Sequence, residues 1–235
     1  MDALAVGRVT RPQTVSVARS RLAPLVLWLA FVLAFAALSY GSRVSGGRPD
    51  ANVLYRWTTF ESFVVQYGLI ALIVWGIAGL GNRRELFALR RPLSWRRAAG
   101  IGLTIFVTIG VLSAILDPLL HPGREQGLTP KHWEGSHAVQ YVANAVAIAV
   151  VAPIVEELTF RGLGFSVLRP YGEWTAIVLV GILFGAAHGL VQALPLLAAL
   201  GSGLAYLRSR VDSVYPGMIV HGLFNAAALI VAVAT

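Results

Sequence analysis

The sequence predicts an all-α, polytopic integral membrane helix bundle with about seven transmembrane helices. Composition is the first reason: of 235 residues, 57% are hydrophobic and only 13% charged, whereas soluble domains run about 45–50% apolar and about 25% charged. Mean hydropathy is the second, at +0.71. The third is the distribution of the apolar residues. They fall into seven long runs, at 22–40, 63–80, 98–116, 139–168, 174–190, 193–207 and 215–235, and a spanning helix consumes about 20 residues.

In chain order, residues 1–21 form a basic segment that precedes the first run. Ala34-Phe35-Ala36 has the small-x-small form of a signal-peptide cleavage site, but it lies inside the apolar run and not after it, so a retained span is expected. Residues 41–57 and 117–137 read as Gly/Pro-punctuated outer loops. The fourth run is longer than a bilayer requires and carries Pro153 and several charges. Arg169-Pro170-Tyr171-Gly172 reads as a turn, because Pro170 cannot continue a helix and Gly172 is free to take positive φ. Gly189 ends the fifth helix in the same way, and 211–214 with Pro216 opens the seventh. The chain has no cysteine, which excludes disulfides, thiolate metal sites and a cysteine nucleophile together. The divisions that follow are 1–21, 22–135 and 136–235.

The net charge of +8 would suit nucleic acid only if it were clustered on one soluble face. Here it orients the chain instead. With the N-terminus inside, fourteen of the nineteen basic residues fall on inner segments (Arg8, Arg11, Arg19 and Arg21, six between Arg83 and Arg97, then Arg161, Arg169, Arg208 and Arg210). The outer five are Arg43, Arg48, Arg56, Arg124 and Lys131. The positive-inside rule then predicts a cytoplasmic N-terminus and an external C-terminus, with the lipid bilayer as partner and no nucleic acid.

An ionisable group within a span costs roughly 2.5–3.5 kcal/mol on insertion scales and marks a functional site by default. Most such residues fall in Val155-Glu156-Glu157-Leu158-Thr159-Phe160-Arg161. Arg161 follows Glu157 by one turn, a favourable Glu-to-Arg spacing, whereas Glu156 points elsewhere with no partner in its own helix. Phe184 and His188 share a face one turn apart, as do His221 and Asn225. Gly181, Gly185 and Gly189 repeat every four residues, as do Gly222 and Ala226, the spacing that lets helices approach closely. At 1.5 Å per residue, Glu156 lies roughly 20 Å before Arg169, His188 roughly 22 Å beyond Glu173, and His221 and Asn225 roughly 14 and 20 Å beyond Asp212. Antiparallel helices thus bring the four to a similar level, near the middle of the hydrocarbon.

A carboxylate in a low-dielectric site is a better base near neutral pH. Beside an imidazole it could hold and deprotonate water. A second imidazole and a carboxamide could donate to the oxyanion formed at a carbonyl. Glu156, His188 and His221 equally make a possible zinc donor set with water in the open position. Other intramembrane protease signatures are absent from the sequence. Neither His188 nor His221 is followed by glutamate, Leu200-Gly201-Ser202-Gly203 lacks the first glycine of a serine motif, and there is no aspartate pair.

Glu-Glu-x-x-x-Arg at 156–161, Phe-x-x-x-His at 184–188 and His-x-x-x-Asn at 221–225 resemble, in order, the three motifs of the CPBP family. That family groups CAAX prenyl endopeptidases of the Ras-converting type with bacteriocin-processing and immunity (Abi) membrane proteins. The resemblance covers only 139 to the C-terminus, and residues 1–135 carry none of it. It implies an active site inside the bundle, with Glu156 as the water-activating base and His188 beside it. His221 and Asn225 would be oxyanion donors, and Glu157, Arg161 and Phe184 would support them. It implies no cofactor, zinc at Glu156, His188 and His221 being the alternative. His121, His132 and His137 read as loop histidines and Glu61 as interfacial.

The function expected is an intramembrane endopeptidase of a bacterial plasma membrane, hydrolysing a peptide bond of a membrane-embedded or lipidated, CAAX-like substrate. The alternative is a non-enzymatic bacteriocin self-immunity or partner-binding membrane protein. A proton-coupled transporter fits less well, because no inverted halves or paired broken helices are visible.

Overall fold

A computed structural model describes residues 22–46, 52–120 and 133–234. Arg8, Arg11, Arg19, Arg21, Arg48, Arg124, Lys131, His121, His132 and Thr235 lie outside the described residues. The described chain is all-α. Helix α1 covers Leu22–Gly46, α2 Trp57–Ala78, the short α3 Arg83–Leu86 and α4 Trp95–Leu120. A continuous helical stretch over 138–168 is α5, followed by α6 Glu173–Ala187, α7 Leu194–Val211 and α8 Tyr215–Ala234. Among the described residues each of the seven apolar runs therefore falls on one helical stretch, and the four-residue α3 and short 3-10 turns lie between them.

Five stretches are long and apolar enough to cross a membrane by length and composition, namely α1, α2, α4, Gly135–Tyr171 and Tyr215–Val233. At 15 residues, α6 is roughly 22 Å long, short of the roughly 30 Å hydrocarbon core. The outer surface suits lipid. Leu33, Leu72, Leu103, Val107 and Ile115 are all exposed, while Glu157 and Arg161 are buried.

Two expected loops are partly ordered structure. The 41–57 segment continues α1 to Gly46 and holds a 3-10 turn at Val53–Tyr55, whose Leu54 and Tyr55 are buried. Asn144 of α5 pins it, its Nδ2 donating to the carbonyls of Leu54 at 2.9 Å and Arg56 at 3.1 Å. The 117–137 segment begins as the end of α4, which runs to Leu120. The turns behave as expected, with φ of +126° at Gly172 and +64° at Gly189.

Helices α6 and α7 make the closest pair. A Cβ on Gly201 would lie 2.9 Å from the Cα of Gly181, and one on Gly185 3.0 Å from the backbone N of Ala198. The glycine stripe thus permits backbone-to-backbone contact, where dispersion and not water release holds membrane helices together.

The long α5 departs from α geometry twice. It is π-helical at Ala147–Val151 and again at Leu158–Gly164, with the α-helical Ala152–Glu157 between. The first departure has a cause in the sequence. The N–H of Ala152 bonds back five residues to Ala147. In that register the carbonyl of Ile148 would meet the nitrogen of Pro153, which carries no hydrogen. The freed carbonyl accepts from Asn225 Nδ2 of α8 at 3.0 Å. Within the second departure Gly164 leaves room for the indole of Trp28, whose Nε1 donates to the carbonyl of Thr159 at 2.9 Å.

Candidate active site

The two adjacent glutamates occupy different environments. Glu157 is fully buried, with Oε1 2.9 Å from Arg161 Nη1 and 3.3 Å from Nδ1 of His221. Arg161 also donates from Nη2 to the carbonyl of Gly201 at 3.0 Å and lies over the Phe184 ring, 4.3 Å from its centroid. The buried guanidinium therefore has a carboxylate, a carbonyl and an aromatic face, which offset its desolvation. On α8, a Cβ at Gly217 would collide with the Glu157 carboxylate, so glycine is what makes room for the pair.

Glu156 is 15% exposed and faces open space. Its Oε1 accepts from the Tyr67 hydroxyl of α2 at 2.7 Å, and its Oε2 lies 3.6 Å from Nε2 of His221. His221 thus stands between the two carboxylates, one ring nitrogen towards each. His188, the residue after α6, has Nδ1 2.8 Å from the carbonyl of Phe184. A carbonyl only accepts, so Nδ1 carries the proton and a neutral His188 has its lone pair at Nε2. Phe184 is central to the group. Its centroid is 4.7 Å from the ring of His188 and 5.5 Å from that of His221.

All four residues singled out for chemistry line one cavity of about 250 Å³, where Glu156, His188, His221 and Asn225 meet Tyr67 and Phe184. Glu156, His188, Tyr67 and Phe63 also line a second cavity of about 300 Å³ towards α1, which Ser39 and Arg43 border. Phe31, Phe35, Gln66 and Ile70 connect it to an apolar groove of about 830 Å³ between α1 and α2. A route thus runs from the lipid-facing surface to Glu156.

The geometry adds detail to two expectations. The division at residue 135 separates the motifs but not the site, because α2 supplies Tyr67. Asn225 does not present a free amide, since one N–H is committed to Ile148 and only the other can serve a ligand. As for zinc, among the described residues no three His, Asp or Glu side chains converge so as to hold a metal ion. The donor set as it stands does not fit one. Glu61 is exposed on the groove between α1 and α2. His137, expected in a loop, closes the 3-10 turn Gly135–His137 and lies beside Glu134, 3.3 Å away, and Ser136.

Fold and site together define a class: a polytopic helical membrane protein with a carboxylate, two imidazoles and a carboxamide turned onto one cavity inside the bundle. Residues 138–227 match the family described as Type II CAAX prenyl endopeptidase Rce1-like. Over 197 residues the chain is 25% identical to the "Putative membrane peptidase YdiL" of Bacillus subtilis (strain 168), covering 79% of this chain and 77% of the relative. No solved structure matches. The family match and the relative support a membrane peptidase.

Proposed function

We propose that the protein is an intramembrane endopeptidase that hydrolyses a peptide bond of a membrane-embedded or lipidated substrate with water activated by Glu156. The observation that carries this is the environment of Glu156. Its carboxylate oxygens meet Tyr67 and His221 and, among the described residues, no lysine or arginine, and it turns onto a cavity that His188 also lines. Water held between Glu156 and His188 gives a proton to Glu156 as its oxygen bonds to the scissile carbonyl carbon. His221 and the remaining N–H of Asn225 receive the oxyanion. Glu156 then returns the proton to the leaving amine as the C–N bond breaks, so no covalent acyl-enzyme forms. The apolar groove between α1 and α2 suits an acyl, prenyl or peptide chain arriving from lipid, and this supports a membrane-bound substrate.

The test compares membrane proteomes and purified proteins. Glu156→Gln keeps the shape and removes the base, so cleavage should fall below detection while folded protein stays near wild type and uncleaved substrate accumulates. Asn225→Ala should retain weak cleavage, since losing one oxyanion donor costs about 10²–10³ in rate. Metal-stripped protein should stay active, and loss on stripping with recovery on added zinc would overturn the glutamate mechanism. Undiminished cleavage by Glu156→Gln would remove the enzymatic reading and leave a partner-binding membrane protein.

A further inference from the structure

We propose that Tyr67, in the half of the chain outside the family-matched segment, is a positioning residue of the reaction centre: its hydroxyl holds one oxygen of Glu156 so that the other receives the proton of the attacking water. The inference rests on the reading of Glu156 as base. A half-buried phenol turned into the bundle takes a hydrogen-bond partner from the protein, and any backbone carbonyl would serve. Tyr67 takes a carboxylate oxygen instead, at 2.7 Å.

The two glutamates show why the donor is a phenol. Arg161 is committed to Glu157, its Nη1 2.9 Å from the carboxylate, so a full positive charge faces that glutamate. A hydroxyl fixes the carboxylate without adding a full charge, so Glu156 is oriented yet still able to take a proton. Geometry divides its oxygens. Oε1 is occupied by Tyr67, while Oε2 faces His221. The ring is itself fixed, stacked on Phe63 at 5.9 Å between centroids and 21° between planes. Tyr67 and Glu156 both belong to the wall shared by the two cavities, so a rotated carboxylate would turn away from one chamber towards the other.

Tyr67→Phe preserves the ring and its stacking and deletes only the donor. A misplacement of about 1 Å costs about 10²-fold in rate, so kcat should fall between about 10- and 100-fold. KM should stay within about twofold, because binding is untouched, and folded yield should equal wild type. Unchanged kcat, or a kcat loss that tracks lost folded protein, overturns the proposal. A second readout does not depend on activity. The infrared difference between wild type and Glu156→Gln isolates the Glu156 carboxylate band, and repeating that difference in a Tyr67→Phe background should move the band. An unmoved band overturns the proposal. If the wild-type chain cleaves nothing, the enzymatic reading fails on its own while the infrared measurement still reads the hydrogen bond.

Discussion

Glu156 and Glu157 are chemically identical neighbours whose surroundings assign them different work. Glu157 is enclosed with Arg161, Phe184 and His221, whereas Glu156 keeps an open side and neutral or titratable partners. Removing one member of a buried ion pair leaves an uncompensated charge, at a cost of about 3–5 kcal/mol. Arg161→Ala should therefore lower the amount of folded protein, as measured by size-exclusion recovery in detergent. Arg161→Lys should rescue it poorly, because an ammonium cannot both lie flat on Phe184 and reach the Gly201 carbonyl. Equal loss of folded protein in Glu156→Gln would refute this separation of roles. The pair was legible from sequence, since residues one turn apart must meet on a helix. Tyr67 was not. A lone tyrosine in an apolar run carries no spacing signal, and nothing local says that a helix some ninety residues later will turn a carboxylate towards it. Gly217 is equally silent until α8 is packed against α5.

Hydrophobic periodicity located the helices but said nothing of their internal register. The glycine repeat in α6 announced a close approach because small-xxx-small spacing acts locally, and the α6–α7 contact follows from it. The π segments of α5 are different. Pro153 stood out as an oddity, but its consequence depends on Asn225 of α8 arriving to take the carbonyl it frees. A role for proline follows at this scale. Pro153→Ala restores an N–H that competes for Ile148 and so releases the Asn225 side chain. Stability should hold or rise, because alanine is the better helix former by about 3 kcal/mol. Cleavage should slow towards the level of Asn225→Ala but not below it. The double variant should then be no slower than Asn225→Ala alone, as expected of two changes acting through one group. Independent, multiplying losses would separate Pro153 from the oxyanion site.

Topology is decided by the whole molecule, and here the fold supplies what charge counting lacks. The loop after α3, the turn at 169–172 and the turn at 212–214 converge at one end. Arg90 donates from Nε to the carbonyl of Asp212 at 2.9 Å, Arg208 Nη1 lies 2.7 Å and Arg169 Nη1 3.9 Å from its Oδ1, and Leu93 N donates to the carbonyl of Val211 at 2.9 Å. The opposite end gathers the other connections, with Tyr55 packed on Trp133 and Tyr141 and its hydroxyl accepting from Glu134 N at 3.2 Å. Segments read as inner thus meet one another, and so do segments read as outer. The crossing number need not be known to infer the relation of the termini. Among the described residues five helices are long and apolar enough to span, and α6 with α7 forms a hairpin that would add two crossings or none, which keeps their number odd. We propose that the arginine-rich end is cytoplasmic, as the positive-inside rule assigns it; an odd number of crossings then puts the end of α8 outside. A C-terminal reporter that is active only in the cytoplasm should stay dark, and one that is active only outside should light. The reverse pattern would put the arginine-rich end outside, against the positive-inside rule, or would require one helix of the α6–α7 hairpin to cross without its partner, against the close backbone packing of Gly181 on Gly201.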